Sequence, residues 1–266
     1  MGCSSTNADN SNEDNMTASG DSGQTMLHLV ANGEDFVRQG FITKDGWSMS
    51  FDRLDVNLND VTAYQIEGAF EPTEVASLDN LEYQEKVSFL DAPQIVDLAA
   101  GEADAAPIMV GHKDVTPGFY NAVAWKIDTA GENSPLAGKT MVLQGTATKG
   151  DRTINFDISL NRPMQYLCGE YVGDERKGIV QAGDMGEVET TFHFDHIFGD
   201  SETSPDEALN VDALGFEPLA QLASGDSLSI DDPTLSQKLS PEDQEKLTKA
   251  VVSLGHVGEG HCAVVQ

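Results

Sequence analysis

Basic side chains are scarce in this chain. Its 266 residues hold 15 Lys and Arg against 45 Asp and Glu, a formal charge of −30 at pH 7. So negative a surface repels nucleic acid and anionic membrane faces, which argues against a nucleic-acid partner. It also concentrates cations, although the same composition serves equally as a solvated surface suited to a salty medium. Long apolar runs are missing as well: no segment nears the ~18–20 residues that a membrane span needs. The chain lacks Gly-x-Ser-x-Gly, a phosphate-cradling glycine loop, His-Glu-x-x-His and a dinucleotide fingerprint, so catalysis has little support from motifs. There is no internal repeat and no coiled-coil heptad.

Histidine is rare too, and its placement is uneven. Four of the six histidines fall in two short segments. Thr191–Asp200 holds His193, Asp195 and His196. Gly255–Cys262 holds His256, Glu259, His261 and Cys262. Neutral imidazole and carboxylate are ligands that zinc and copper(II) accept. The expectation is that the two segments meet and hold one ion through His193, His196, His256 and His261. Asp195 would be a further ligand or an orienter, and Glu259 a neighbour able to act as a base. The bland alternatives are a capped strand end with hydrogen-bonded surface histidines, and a glycine-rich tail. His28 and His112, alone in strand or loop contexts, read as ordinary surface or satisfied histidines.

Along the chain, short segments of period-two alternation predict strands: 26–31, Trp47–Phe51, Leu54–Leu58, Val61–Ile66, Lys86–Leu90, Gln94–Leu98, Pro107–Val110 and Gly118–Ile127. Thr140–Lys149 and Arg152–Leu160 read as a hairpin around Gly150. Glu187–Asp195 is a further strand, with Phe192 and Phe194 on one face and His193 and Asp195 on the other. Beyond Asp200 the pattern turns helical. Ser204–Glu207 starts one helix, and Pro218–Ala223 is helix-compatible. Ser240 caps another helix, with Pro241 at its first position, ending at Gly255. The fold expected is mainly β: an antiparallel β-sandwich, immunoglobulin- or transthyretin-like, over residues 25–200. A small helical segment over 201–266 packs on it and completes the metal site. Residues 4–24 carry no aromatic or β-branched apolar residue and read as a disordered tether.

Cysteine occurs three times. Gly2-Cys3-Ser4-Ser5 resembles the end of a bacterial lipoprotein signal, in which the Cys becomes the lipidated first residue; the apolar part would have been cleaved or replaced by Met1. Ser4 at the next position resembles lipoproteins sorted to an outer membrane. The alternative is an ordinary N-terminal Cys. Export implies an oxidising compartment, where Cys168 and Cys262 would pair; in a cytosol both would be free thiols or ligands.

Several patches are similar to exported bacterial β-sandwich lipoproteins of unassigned role. They are Gly33–Val37 with Asp45-Gly-Trp47 and Phe51-Asp52, Asp91-Ala-Pro through Gly101, Val115–Tyr120, Thr191–Gly199 as "HxDHxF", and Gly258–Cys262 as "GEGHC". More remotely the chain resembles MbnP-like periplasmic copper-binding proteins; no tryptophan role is carried onto Trp47 or Trp125. In such sequences the stretch at 223–235 resembles an EF-hand calcium loop. Here Ser224–Asp232 lacks its Asp/Asn spacing and terminal Glu, so no calcium is expected. These resemblances imply a lipid-anchored protein of a Gram-negative envelope, on the periplasmic or surface side of the outer membrane. It would bind zinc or copper for uptake, delivery or sequestration, with a metal transporter or redox partner. A metal-dependent hydrolase or oxidase, or a surface interaction protein with a structural metal, are the alternatives. An open coordination position beside a pocket would favour the enzyme.

Overall fold

The computed structural model describes residues 24–68 and 70–265. Cys3, and all of the expected tether except Gln24, lie outside them. The strands that build the two main sheets are β1 (Met26–Asn32), β2 (Ser48–Gln65), β3 (Ile108–Asp114), β4 (Ala122–Ile127), β5 (Met141–Lys149), β6 (Arg152–Leu160), β7 (Met164–Cys168), β8 (Met185–Phe192), β9 (Ser227–Asp231), β10 (Gly255–Val257), β11 (Gly260–His261) and β12 (Ala263–Val264). One sheet has the order β11-β10-β8-β1-β3. The other runs β9-β6-β5-β2-β4-β7-β12, with the short strands Phe41–Ile42, Glu85–Ser88 and Gln94–Asp97 also paired to β2. The expected mainly β, sandwich-like fold is what forms. Most pairings are antiparallel, but β1 runs parallel to β8, and β6 parallel to β9.

The inward rows follow the period-two pattern. Leu27, Leu29 and Ala31 of β1 are fully buried, and so is Phe192 of β8. They pack with Trp125 and Tyr166 of the facing sheet in one continuous core; the Trp125 and Phe192 rings lie 6.1 Å apart. Three strands expected between Trp47 and Ile66 form the single strand β2. The alternation breaks there because the register shifts between Phe51 and Arg53 and again between Asn59 and Thr62. At the second shift Asp60 adopts a positive φ of 48°. These bulges let one strand serve several partners. The expected hairpin is present, with Gly150 at φ 59° between β5 and β6.

Past residue 200, short helices α3 (Ala208–Asp212), α4 (Glu217–Ala220) and α5 (Asp232–Lys238) precede α6 (Pro241–Val252); α1 (Glu34–Gln39) and α2 (Asp195–Phe198) lie earlier. The Ser240 side chain accepts a hydrogen bond from the Asp243 amide at 3.1 Å, the cap expected from the sequence. The far end differs. Ser253, not Gly255, closes α6, and Gly255 begins β10. A Cβ on Gly255 would lie 2.5 Å from Tyr166 Cδ1, so close strand-to-ring packing sets its identity. This segment is not only helical: β9 extends one sheet, and β10 and β11 extend the other. Among the described residues no helix is long and apolar enough to cross a membrane.

A disulfide joins Cys168, at the end of β7, to Cys262, between β11 and β12. It ties the last strands to the core across 94 residues. In the chain-entropy picture such a closure stabilises by about 4–5 kcal/mol. Thiol titration of denatured, unreduced protein is therefore expected to find neither Cys168 nor Cys262 reactive. A Cys168→Ser/Cys262→Ser protein should lose stability on that order in urea unfolding.

Candidate metal centre

The site begins where β8 stops. The expected strand through Asp195 ends at Phe192, and the chain turns into the single helical turn α2. Apolar burial explains the difference. Phe194, Ile197 and Phe198 are all buried, and helical spacing lets all three reach the core at once. The turn closes through the His196 amide to the His193 carbonyl at 3.2 Å, and Gly199 at φ 65° ends it. His193 and His196, three residues apart, thus share one side. His193 and Asp195 do not share a strand face.

The second half arrives by sheet pairing. β10 lies antiparallel to β8, with His256 opposite Thr191. His261 on β11 is in turn opposite His256. His193, His196 and His256 each offer a ligand atom, and these atoms lie within 4.8 Å of one another. The His193 and His256 rings stack at 3.9 Å, and His196 stands edge-on to His256 at 5.0 Å. His261 is exposed, with its ring 4.5 Å from that of His256 and 6.1 Å from that of His196, outside the three-nitrogen cluster. Asp195 sits beside the cluster. One of its carboxylate oxygens accepts the His196 amide at 3.1 Å and lies 3.9 Å from His193 Nδ1. Glu259 is exposed, and its charge reaches His193 and Glu34.

Two residues absent from the sequence reading of the site shape it. Ser253 is the first. Its hydroxyl oxygen lies within 3.2 Å of the Lys249 and Ala250 carbonyls and shares a hydrogen bond with Nδ1 of His196 at 2.8 Å. Its own carbonyl accepts Nε2–H of His256 at 3.2 Å. The carbonyl thereby fixes the His256 tautomer, with its lone pair on Nδ1, and the hydroxyl holds the His196 ring in place. Glu34 is the second. It adopts φ 64°, a conformation that strains any side chain larger than glycine. Its amide bonds Asn32 Oδ1 at 3.0 Å, and its carboxylate lies 3.9 Å from His193 Nε2. Only the parallel β1–β8 pairing brings it there; the one hint was the Gly33–Val37 patch of the resemblance.

The electrostatics suit a cation. His193 Nε2 and His256 Nδ1 are buried and make no hydrogen bond to any described residue. Burial drives His193 and His256 below the usual imidazole range. It also takes His196 to about 4, with repulsion from His261 added. All three are thus neutral, the form that binds metal. Glu34 is pushed up to about 7, first by burial and then by the Glu189, Glu259, Asp35 and Asp195 carboxylates. Burial likewise raises Asp195. Orphaned imidazole nitrogens facing crowded carboxylates form a donor set that a transition-metal ion fits. A cavity of about 550 Å³, lined in part by Leu209, Thr248, Val252 and Ser253, reaches His196 and His261.

No protein-family model matches the chain, and neither a curated protein nor a solved structure does. The site therefore rests on its own geometry.

Three outcomes follow for solution work. Free imidazole titrates near ~6.5, while His196 in the fold titrates at about 4. Between these values the unfolded chain binds more protons at this position, so the histidines make the metal-free protein less stable as pH falls from ~6.5 towards ~4. Glu34, raised to about 7, acts oppositely as pH falls from ~7 to ~4.5, because there the folded form holds the extra proton. Asp195, also raised by burial, acts in the same sense as Glu34, and urea unfolding at pH 7 and pH 5 should show the three histidines outweighing these two carboxylates. Proton competition for metal should likewise begin below the ordinary histidine range and not near ~6.5. Ser253→Ala should keep the fold and weaken zinc binding ~10-fold or more, the usual cost of removing a partner that orients a ligand. Competition titration against a chromophoric chelator measures it.

Proposed function

We propose that this protein binds one transition-metal ion, zinc or copper, through His193, His196 and His256, with His261 and Asp195 beside them. The observation that carries this reading is the pair of buried, unpartnered nitrogens, His193 Nε2 and His256 Nδ1, within a three-histidine cluster. A polar nitrogen buried without a partner costs on the order of 1–3 kcal/mol. A metal ion removes that cost and draws on the surrounding negative charge.

The role we assign is metal handling at a bacterial cell envelope: uptake, delivery or sequestration. The Gly2-Cys3-Ser4-Ser5 segment supports lipid attachment at Cys3, and the Cys168–Cys262 disulfide is in keeping with an oxidising compartment. A membrane-bound transporter or a redox protein is the partner that suits this role. The second reading, a metal-dependent hydrolase or oxidase, is favoured by one observation. Three clustered imidazoles with a cavity at their edge resemble an open site more than a closed one. In that case the ion would supply Lewis acidity to a bound molecule. His261 separates the two readings. As a fourth ligand it closes the site; as a residue at the cavity wall it leaves a position free.

Untagged protein should carry or take up one tightly bound ion, with nitrogen-to-metal distances near ~2.0–2.1 Å by X-ray absorption. His193→Ala/His256→Ala should abolish that equivalent while the far-UV spectrum stays native. A double variant that still binds one ion tightly would remove the assignment. His261→Ala should weaken binding ~10-fold or more if the site is closed, and leave affinity within a few-fold if it is open. Separately, the wild-type protein expressed in a Gram-negative host should fractionate with membranes, and Cys3→Ser should move it to the soluble fraction.

A further inference from the structure

His28 and His112, which the sequence leaves as isolated histidines, are brought together by the fold. β1 and β3 run antiparallel with His28 directly opposite His112, and their rings stand 6.0 Å apart at an interplanar angle of 61°. His28 points away from the core. Its neighbours Leu27 and Leu29 are fully buried while it is half-buried, and His112 is exposed. Neither ring hydrogen-bonds to another described residue, and neither joins an ion pair among them. The pair is thus accessible and uncommitted.

We propose that His28 and His112 form a second, surface binding site for a divalent transition-metal ion, with water completing its coordination. Directly opposed residues of antiparallel strands have Cβ atoms ~4.5–5.5 Å apart. That spacing suits two imidazoles taking neighbouring positions on one ion. At ~2.0–2.1 Å from nitrogen to metal the ring centres come to about 5 Å, which small χ rotations of two surface side chains reach from 6.0 Å. Glu187, opposite His28 on the other side, is not a ligand. Its carboxylate is held by Lys177 at 2.7 Å, and Lys177 also bonds Glu189. This makes the site a two-imidazole one, weaker than the buried cluster, and selective for imidazole-seeking ions over calcium or magnesium.

The placement gives it a relation to the first site. Asn32, four residues beyond His28 on the same face of β1, is in register with Thr191, which pairs with His256. At ~3.3 Å per residue and ~4.8 Å per strand, the two sites are offset by roughly 13 Å along β1 and roughly 10 Å across β8 to β10. The net charge of −30 draws cations towards the protein as a whole. The inference does not depend on the buried site holding metal.

The test is equilibrium dialysis of the full-length protein against zinc at physiological salt, in a Cys3→Ser background that removes the one cysteine outside the disulfide. Two equivalents are expected, a tight one and a weaker one. His112→Ala, and independently His28→Asn, should each leave only the tight equivalent. His193→Ala/His256→Ala should leave only the weaker one. Calcium in tenfold excess should displace neither. If wild-type protein binds one equivalent, lost in His193→Ala/His256→Ala, the second site is wrong and the buried one stands. One equivalent lost in His112→Ala but retained in His193→Ala/His256→Ala upholds this inference and overturns the buried site. If His112→Ala and His28→Asn both still bind two, the weaker ion lies elsewhere and the inference falls.

Discussion

The pairing of β10 with β8, which sets His256 against Thr191, is the constraint on which the candidate metal centre depends. It carries one imidazole across more than sixty residues of intervening chain and lays it flat on the ring of His193. Several features exist to hold that pairing. Gly255 lets the strand approach Tyr166, the Thr191 hydroxyl accepts the Gly258 amide at 2.9 Å, and the His193 amide bonds the Leu254 carbonyl at 3.0 Å. The Cys168–Cys262 bond then pins the strand that follows. Each contact is modest, about 1 kcal/mol for a hydrogen bond of this kind. They act on one short segment, and the covalent link limits how far that segment can stray when any of them opens.

The histidines are buried at a cost, and the site is arranged so that the cost depends on what occupies it. Neutral imidazoles without partners, and carboxylates crowded until one of them sits near neutrality, are poor neighbours for a protein alone. The same groups are well placed around a cation. Ser253 shows how far this preparation goes, since its side chain and its carbonyl at the end of α6 each hold one of the clustered imidazoles. That kind of support is usual where a ligand must present a fixed lone pair.

Much of this was legible in the sequence, for identifiable reasons. Strands with one buried face announce themselves by alternation, so β1, β5 and β6 were readable. Ser240-Pro241 marked the start of α6 through capping chemistry that depends on local residues only. The concentration of four histidines into two segments pointed to the site because so few histidines exist elsewhere. What could not be read was long-range. The parallel partnership of β1 and β8 brings in Glu34, and the opposition of β1 and β3 joins His28 to His112; neither leaves a local trace. The segment His193–Asp195 reads as the end of a strand because Phe192 and Phe194 fit a two-residue period, whereas in the fold it leads into the turn Asp195–Phe198. Ile197 and Phe198, also buried, fit only a helical one. Ser253 was invisible because a serine after a helix is ordinary until its neighbours in space are known.

The order of the strands also fixes when the site can come into being. Its carboxylates come from residues 34 and 195, two imidazoles from residues 193 and 196 just after β8, and the third from residue 256 on β10. No shorter stretch of chain contains them all, and contacts this distant in sequence close late because the loop entropy must be overcome first. During synthesis, therefore, the growing chain exposes histidines one segment at a time and never offers a complete nest of ligands. The complete cluster belongs to the finished fold alone, so any ion it could hold meets all three imidazoles only after the last strands have docked.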